Sequence, residues 1–147
     1  MVIKGFTKQK NTTNTEEYDQ LRTILDSISA FIYISDIKTN EILFVNKYAQ
    51  EVLGNITGQK CWQVLQKSQT GPCEFCTNDK LLNKDGTPAN LYIWEFQNTK
   101  NNRWYKCRDR AILWPDGRTV RLEIATDITD HKQTEETLRS QLKFEKM

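Results

Sequence analysis

The sequence predicts an α+β fold: a five-stranded antiparallel sheet covered on one face by short helices, with a flanking helix at each end. Three observations predict it. In the last third, apolar-alternating runs are joined by two short loops, the second being Trp114-Pro115-Asp116-Gly117, so consecutive strands pair antiparallel. In the middle, residues 56–85 give only short helix and loop signals, which suits a cover rather than a second sheet. At the end, strand chemistry at Val120, Leu122 and Ile124 gives way through Asp127-Ile128-Thr129 to a charged helical run from Gln133 to Lys146.

Residues 1–14 are polar and aperiodic, the composition of a flexible arm. Thr15 before Glu16 and Glu17 reads as a helix start, because acids favour the positive end of a helix dipole. Tyr18, Leu21, Leu25 and Ile28 then fall at helical spacing, giving residues 15–28 one apolar face. Residues 30–35 and 41–45 form a hairpin across a polar turn. Asn46 stands as the N-cap of a short helix over residues 47–53, stopped by Gly54. Gly58 leads into the Cys61-Trp62-Gln63-Val64-Leu65 helix, and Thr77 is placed to cap another ending near Leu82. Three strands follow, near residues 90–96, 103–113 and 118–126. Pairing Leu113 with Arg118 across the turn sets Cys107 opposite Ile124 and turns Lys106, Arg108 and Arg110 to water. The same register points Asp109 inward, as a polar anchor or as hydrogen-bonded structure.

With 147 residues, 37% hydrophobic and 27% charged, the chain suits one compact domain with solvated ends. A formal net charge of +2 argues neither for nor against nucleic acid, and the basic residues between Arg103 and Arg110 alternate as a solvated strand face does. No nucleic-acid partner is therefore expected. No apolar run approaches the roughly 18 residues that cross a bilayer, and the first fourteen residues lack a signal-peptide core. A cytoplasmic location without membrane contact is the expectation. No nucleophile–base pair or phosphate-cradling glycine loop is present, so no enzyme is expected. His131, on the exit helix, is a poor haem ligand.

In a reducing compartment the four cysteines are thiols or ligands before they are disulfides. Pro72-Cys73-Glu74-Phe75-Cys76 has the spacing at which two thiolates chelate one metal, Cys61 could close the same site, and Cys107 is an inward strand residue. Three readings stay open. Cys61, Cys73, Cys76 and Cys107 could hold zinc or an iron–sulfur cluster, although a second C-x-x-C is missing. Cys73 and Cys76 could form a reversible disulfide. Each cysteine could also be a small buried hydrophobe, the favoured reading for Cys107.

Leu25-Asp26-Ser27-Ile28, Phe44-Val45-Asn46 with Leu53-Gly54, Trp114-Pro115-Asp116-Gly117-Arg118 and Asp127-Ile128-Thr129 stand in an order that resembles the PAS sensory domain, over about residues 18–146. The resemblance implies the strand order 2-1-5-4-3 and a ligand-sized cavity under the helices. It divides the chain into an arm (1–14), a flanking helix (15–28), a sensory domain (29–128) and a signalling helix (129–147). It implies a module of a bacterial signalling protein whose output domain, a histidine kinase or a cyclic-dinucleotide enzyme, lies in the same polypeptide. In the family the aspartate anchors the strand–helix junction, a role carried to Asp127, with Thr129 capping the exit helix. Leu138 and Leu142 at i,i+4 suggest homodimer contact through the flanking helices.

A small-molecule ligand is expected between sheet and cover, against Tyr33, Phe44, Trp62, Cys76, Leu82, Cys107 and Ile124. The cofactor is left unknown, with none also an open answer. Gly58-Gln59-Lys60-Cys61-Trp62-Gln63-Val64-Leu65-Gln66 is similar to the flavin-adduct motif of LOV domains, but Lys60 and Trp62-Gln63 replace its asparagine and Arg-Phe. Losing that arginine removes the expected flavin phosphate contact, so flavin is disfavoured alongside haem and metal. Two alternatives stand beside the ligand sensor: a metal, iron–sulfur or redox sensor, and a ligand-free dimerisation spacer.

Overall fold

A computed structural model describes the backbone of residues 2–146 and the side chains of residues 14–145. Its elements are α1 (Val2–Asp26), β1 (Phe31–Asp36), β2 (Ile42–Val45), α2 (Lys47–Leu53), α3 (Cys61–Leu65), a single 3-10 turn (Asn78–Lys80), β3 (Tyr92–Gln97), β4 (Trp104–Leu113), β5 (Thr119–Asp127) and α4 (Thr129–Lys146). The strands form one antiparallel sheet, β2-β1-β5-β4-β3, with β5 at its centre. Both the fold class and the strand order are those expected.

Asn46 joins three elements, and its chemistry explains why the chain turns there. Its Oδ1 accepts from Ala49 N (3.1 Å) at the start of α2 and from Ile32 N (3.2 Å) on β1. Its Nδ2 donates to the carbonyls of Ala30 (2.9 Å), Leu25 (3.1 Å) and Ile28 (3.3 Å) at the end of α1. Gly54 then stops α2 at φ 79°, a conformation that only glycine adopts without strain, and its N–H returns to Gln50 O. Tyr33, Ile42, Val45, Ala49 and Ile56 form the core between these elements and the sheet.

Four differences from expectation have local causes. The helix starts at Val2 rather than near residue 15, running back through the segment expected as an arm. No proline interrupts that segment, and a helix propagates from an existing nucleus far more easily than it starts. Met1 and the side chains of residues 2–13 lie outside the described residues. Thr77 does not cap a helix: only the 3-10 turn follows, and its hydroxyl reaches Asp109 instead. Ile93, an apolar strand residue that would ordinarily be buried, is 51% exposed because β3 is an edge strand and Ile93 lies on its outer side.

The fourth difference matters most. Leu113 pairs with Thr119, and Trp114 N and Gly117 N close the turn onto Arg118 O (2.7 Å) and Trp114 O (2.9 Å). Three residues, with Gly117 at φ 93°, make this connection, where four had been expected. Strand side chains alternate with period two, so this one-residue slip exchanges the faces of β5. Cys107 pairs with Ala125, not Ile124. Arg121, Glu123 and Ala125 face the helical cover, and Val120, Leu122 and Ile124 face away.

Candidate functional site

The covered face of the sheet is built by strand alternation. Phe31 and Tyr33 come from β1, Arg121, Glu123 and Ala125 from β5, Tyr105, Cys107 and Asp109 from β4, and Trp94 and Phe96 from β3. Ala125, opposite Phe31 and Cys107, is the small residue among large ones and leaves space at the centre of the floor. Above it lies a cover formed by α3 and the loop after it. Between floor and cover is a cavity of about 250 Å³, lined among others by Phe31, Tyr33, Cys61, Trp62, Leu65, Cys73, Phe75, Cys76, Trp94, Phe96, Arg121, Glu123 and Ala125. Trp94 and Phe96 stack at 4.7 Å between centroids, and Phe75 descends from the cover to 5.6 Å from Phe96. This volume matches a small organic molecule; the middle of the lining is apolar, with Arg121 and Glu123 at one end and Gln66, Asn98 and Lys100 at the other.

The Arg121 end is ionic and buried. Arg121 Nη2 donates to both Asp109 Oδ2 and Glu123 Oε1, each at 2.8 Å. Its Nη1 donates to Asn78 Oδ1 (3.0 Å) and to Cys76 Sγ (3.7 Å) on the cover. Asp109 Oδ2 also accepts from Trp94 Nε1 (2.5 Å) and Thr77 Oγ1 (2.8 Å). Four elements are thus latched together: β3, β4, β5 and the cover. A second tie holds the other end, where Thr99 Oγ1 donates to Gln66 Oε1 (2.8 Å) and Asn98 Nδ2 to Leu65 O (3.1 Å).

Two carboxylates share one guanidinium here, out of water. Burial, reinforced by the neighbouring Glu123, pushes the Asp109 carboxyl up to about 7, with Arg121 opposing. Below about pH 4 the folded and unfolded chains both hold this proton; between about 4 and 7 only the folded chain does. Stability is therefore expected to fall as pH rises across that window, by at most about 1.4 kcal/mol per pH unit. Asp109→Asn, which carries the neutral form permanently, is expected to flatten the slope. Urea denaturation at pH 4.5 and 7.5 checks it; a wild-type stability that rises across the window contradicts the assignment.

The sequence-predicted residues divide clearly. Tyr33, Trp62 and Cys76 line the cavity. Cys107 faces the same side but is sealed in the floor with Tyr105 and Ala125. Phe44 lies across the sheet, paired with Ile34, with the Arg22 guanidinium 4.7 Å from its ring centre. Leu82 bridges to Pro88 beyond the cavity, while its neighbour Leu81 is fully buried. Ile124 is on the opposite face because of the register slip. Arg121, Glu123, Trp94, Phe96 and Phe75 were missed; the signal for the first two was their alternation with Ala125 on one strand, readable only once the turn length is known.

The cysteines do not assemble as ligands. Among the described residues no group of three or more His, Cys, Asp or Glu side chains is arranged to hold a metal ion. All four are free. Burial pushes the Cys61 thiol up to about 11 and raises Cys73 and Cys107 as well, the opposite of what a reactive or redox-active thiol requires. Cys61, the cysteine of the LOV-like motif, lines the cavity, and the Lys60 ammonium turns outward to Thr39 O (2.7 Å).

The cavity's floor strand runs directly into the exit helix. Asp127 Oδ1 accepts from Thr129 N (3.0 Å) and Thr129 Oγ1 (2.6 Å), and Asp127 Oδ2 pairs with Arg103. Burial works against the charge, yet the hydrogen bonds from Arg103 and Thr129 hold the Asp127 carboxyl below its ordinary value. Trp104 N donates to Thr129 Oγ1 (3.0 Å), and Ile128 N to Trp104 O (2.8 Å). Lys132 pairs with Glu95 (2.6 Å) and lies 5.1 Å from the Trp104 ring centre. The first turn of α4 is therefore held by β3, β4 and β5 together.

Residues 19–85 match the family model described as the PAS domain. The fold is similar to the PAS domain of an HTR-like protein from Haloarcula marismortui (TM-score 0.61, 16% identity, 82% of this chain and 99% of that one). It is similar as well to the PAS domain of a nitrogen regulation protein from Vibrio parahaemolyticus (0.56, 16%, 73% and 96%). A sensory box histidine kinase/response regulator structure from Burkholderia thailandensis aligns over 87% of this chain and 99% of that one (0.51, 17%). No curated protein matches the sequence. Among the described residues no helix is long and apolar enough to cross a membrane.

Proposed function

We propose that this chain, which carries a PAS domain, is a non-catalytic sensor that holds a small molecule between sheet and cover and relays its presence through α4 to an output domain in the same polypeptide. One observation carries the reading: Arg121, Glu123 and Ala125 line the cavity on the same strand that ends, two residues later, at the Asp127–Thr129 junction. A ligand that prefers one arrangement of β5 biases the seat of α4, and only a difference in affinity between arrangements can transmit anything. The output is a histidine kinase or a cyclic-dinucleotide enzyme, the former in keeping with the sensory box histidine kinase/response regulator whose fold this chain resembles.

Ala125→Trp tests the ligand half. The indole fills the centre of the floor, so binding of any small molecule retained by natively purified protein is expected to weaken at least about tenfold, read by native mass spectrometry. Undiminished binding would place the ligand elsewhere and overturn the reading.

The flanking helices support a homodimer. Tyr18, Leu21 and Ile24 on α1, and Leu138 and Leu142 on α4, are more than half exposed and fall at helical spacing, so each helix presents an apolar stripe of the kind that marks an interaction surface. A second copy is the natural partner because both helices carry the stripe in every chain. Sedimentation equilibrium of Leu21→Glu with Leu138→Glu checks this: a dimer that persists in the double variant sinks it.

A further inference from the structure

We propose that the cavity selects a small organic cation, an ammonium or protonated nitrogen heterocycle on an apolar body, whose charge is met by Glu123 and whose body lies against the Trp94–Phe96–Phe75 wall. The inference rests on the reading of the cavity as a ligand site and adds the charge of what enters it.

Charge balance carries it. Asp109 and Glu123 are direct cross-strand partners and converge on one Arg121 nitrogen, so the buried end holds two acids against one base. Asp109 is fully buried, and its Oδ1 has no hydrogen-bond partner. Asp109 lies outside the cavity lining whereas Glu123 is part of it, so Glu123 is the acid that presents the pair's excess negative charge to whatever enters. An anion is disfavoured: the terminal nitrogens of Arg121 are already engaged by the two acids, Asn78 and Cys76, leaving only Nε without a partner. Aromatic faces attract cations and offer nothing comparable to a carboxylate.

The other groups facing this end do not supply the missing charge. From β1, Tyr33 is held neutral because burial raises its phenol well above its ordinary value. The thiols of Cys61 and Cys73 on the cover, and of Cys107 on β4, are raised by burial too, and Cys76 lies against Arg121. Lys100, the other cation lining the cavity, is exposed and gives its ammonium to Val64 O (3.0 Å). In the empty domain a proton on the acid pair balances the charge. An entering ammonium displaces that proton to solvent, so affinity rises with pH up to about 7, the value to which burial lifts Asp109, and levels above it.

Isothermal titration calorimetry of the whole chain with benzylamine, benzyl alcohol and benzoate compares three probes of one shape and three charges. At pH 8 benzylammonium is expected to bind at least about tenfold tighter than benzyl alcohol, with benzoate weakest and the preference shrinking at pH 6. Glu123→Gln is expected to bring benzylammonium to the level of benzyl alcohol while benzyl alcohol keeps its affinity, which also reports that the variant is folded. Benzyl alcohol or benzoate binding as tightly as benzylammonium overturns the charge preference and leaves the ligand site standing. Failure of all three to bind overturns both.

Discussion

Arg121→Ala is expected to destabilise the domain by about 3–5 kcal/mol, the cost of leaving a buried charge without its partner. Arg121 is 6% exposed and is the base shared by Asp109 and Glu123, so its removal strands two acids in a region with little water. The chain can answer only by taking up protons or by opening. Both outcomes make the loss depend on pH: the variant should recover part of its stability at pH 5, where Asp109 is protonated, relative to pH 8. The damage should also be local to the cover, because Arg121 Nη1 holds Asn78 and Asp109 holds Thr77. Chemical denaturation at the two pH values, with hydrogen exchange over residues 73–80, reads both effects. A loss below about 1 kcal/mol at pH 8 would mean that water already screens the cluster.

Asn46→Ala should cost about 2–4 kcal/mol, more than an ordinary N-cap. The side chain has no exposed surface and makes five hydrogen bonds, two accepted and three donated. Alanine leaves the N–H groups of Ile32 and Ala49 and three carbonyls at the α1–β1 connection to find other partners in a closed space. Asn46→Asp separates the two roles. It keeps the acceptor for α2 but points a carboxylate at three carbonyl oxygens, so it should be no more stable than alanine. An aspartate variant as stable as wild type would show that the cap alone matters.

What the sequence made legible follows from local chemistry. Asn46, Gly54, the charged exit helix and the antiparallel pairing of the last three strands are each written in a few neighbouring residues, and the family resemblance added the strand order. The site was legible only in part. Its register depended on whether the Trp114–Gly117 turn closes on three residues or four, a difference that propagates along all of β5. With the wrong parity, Ile124 enters the pocket and Arg121 and Glu123 go to water, which is where charged residues ordinarily belong. Phe44 was misplaced for a related reason: an apolar residue on a sheet has two faces to choose from, and here α1 covers the second. The Thr77–Asp109 contact spans 32 positions and leaves no local trace.

The central claim is that occupancy of the cavity alters the seat of the exit helix. Hydrogen exchange at the amides of Ile128 and Lys132, which donate to Trp104 O and Ile128 O, measures that seat directly. Saturation with a cavity ligand such as benzylammonium should change their protection by at least about threefold in wild type, and not in Asp127→Ala, which keeps the cavity but loses the anchor. Protection changes confined to residues 61–76, with none at 128–132, would contradict the relay.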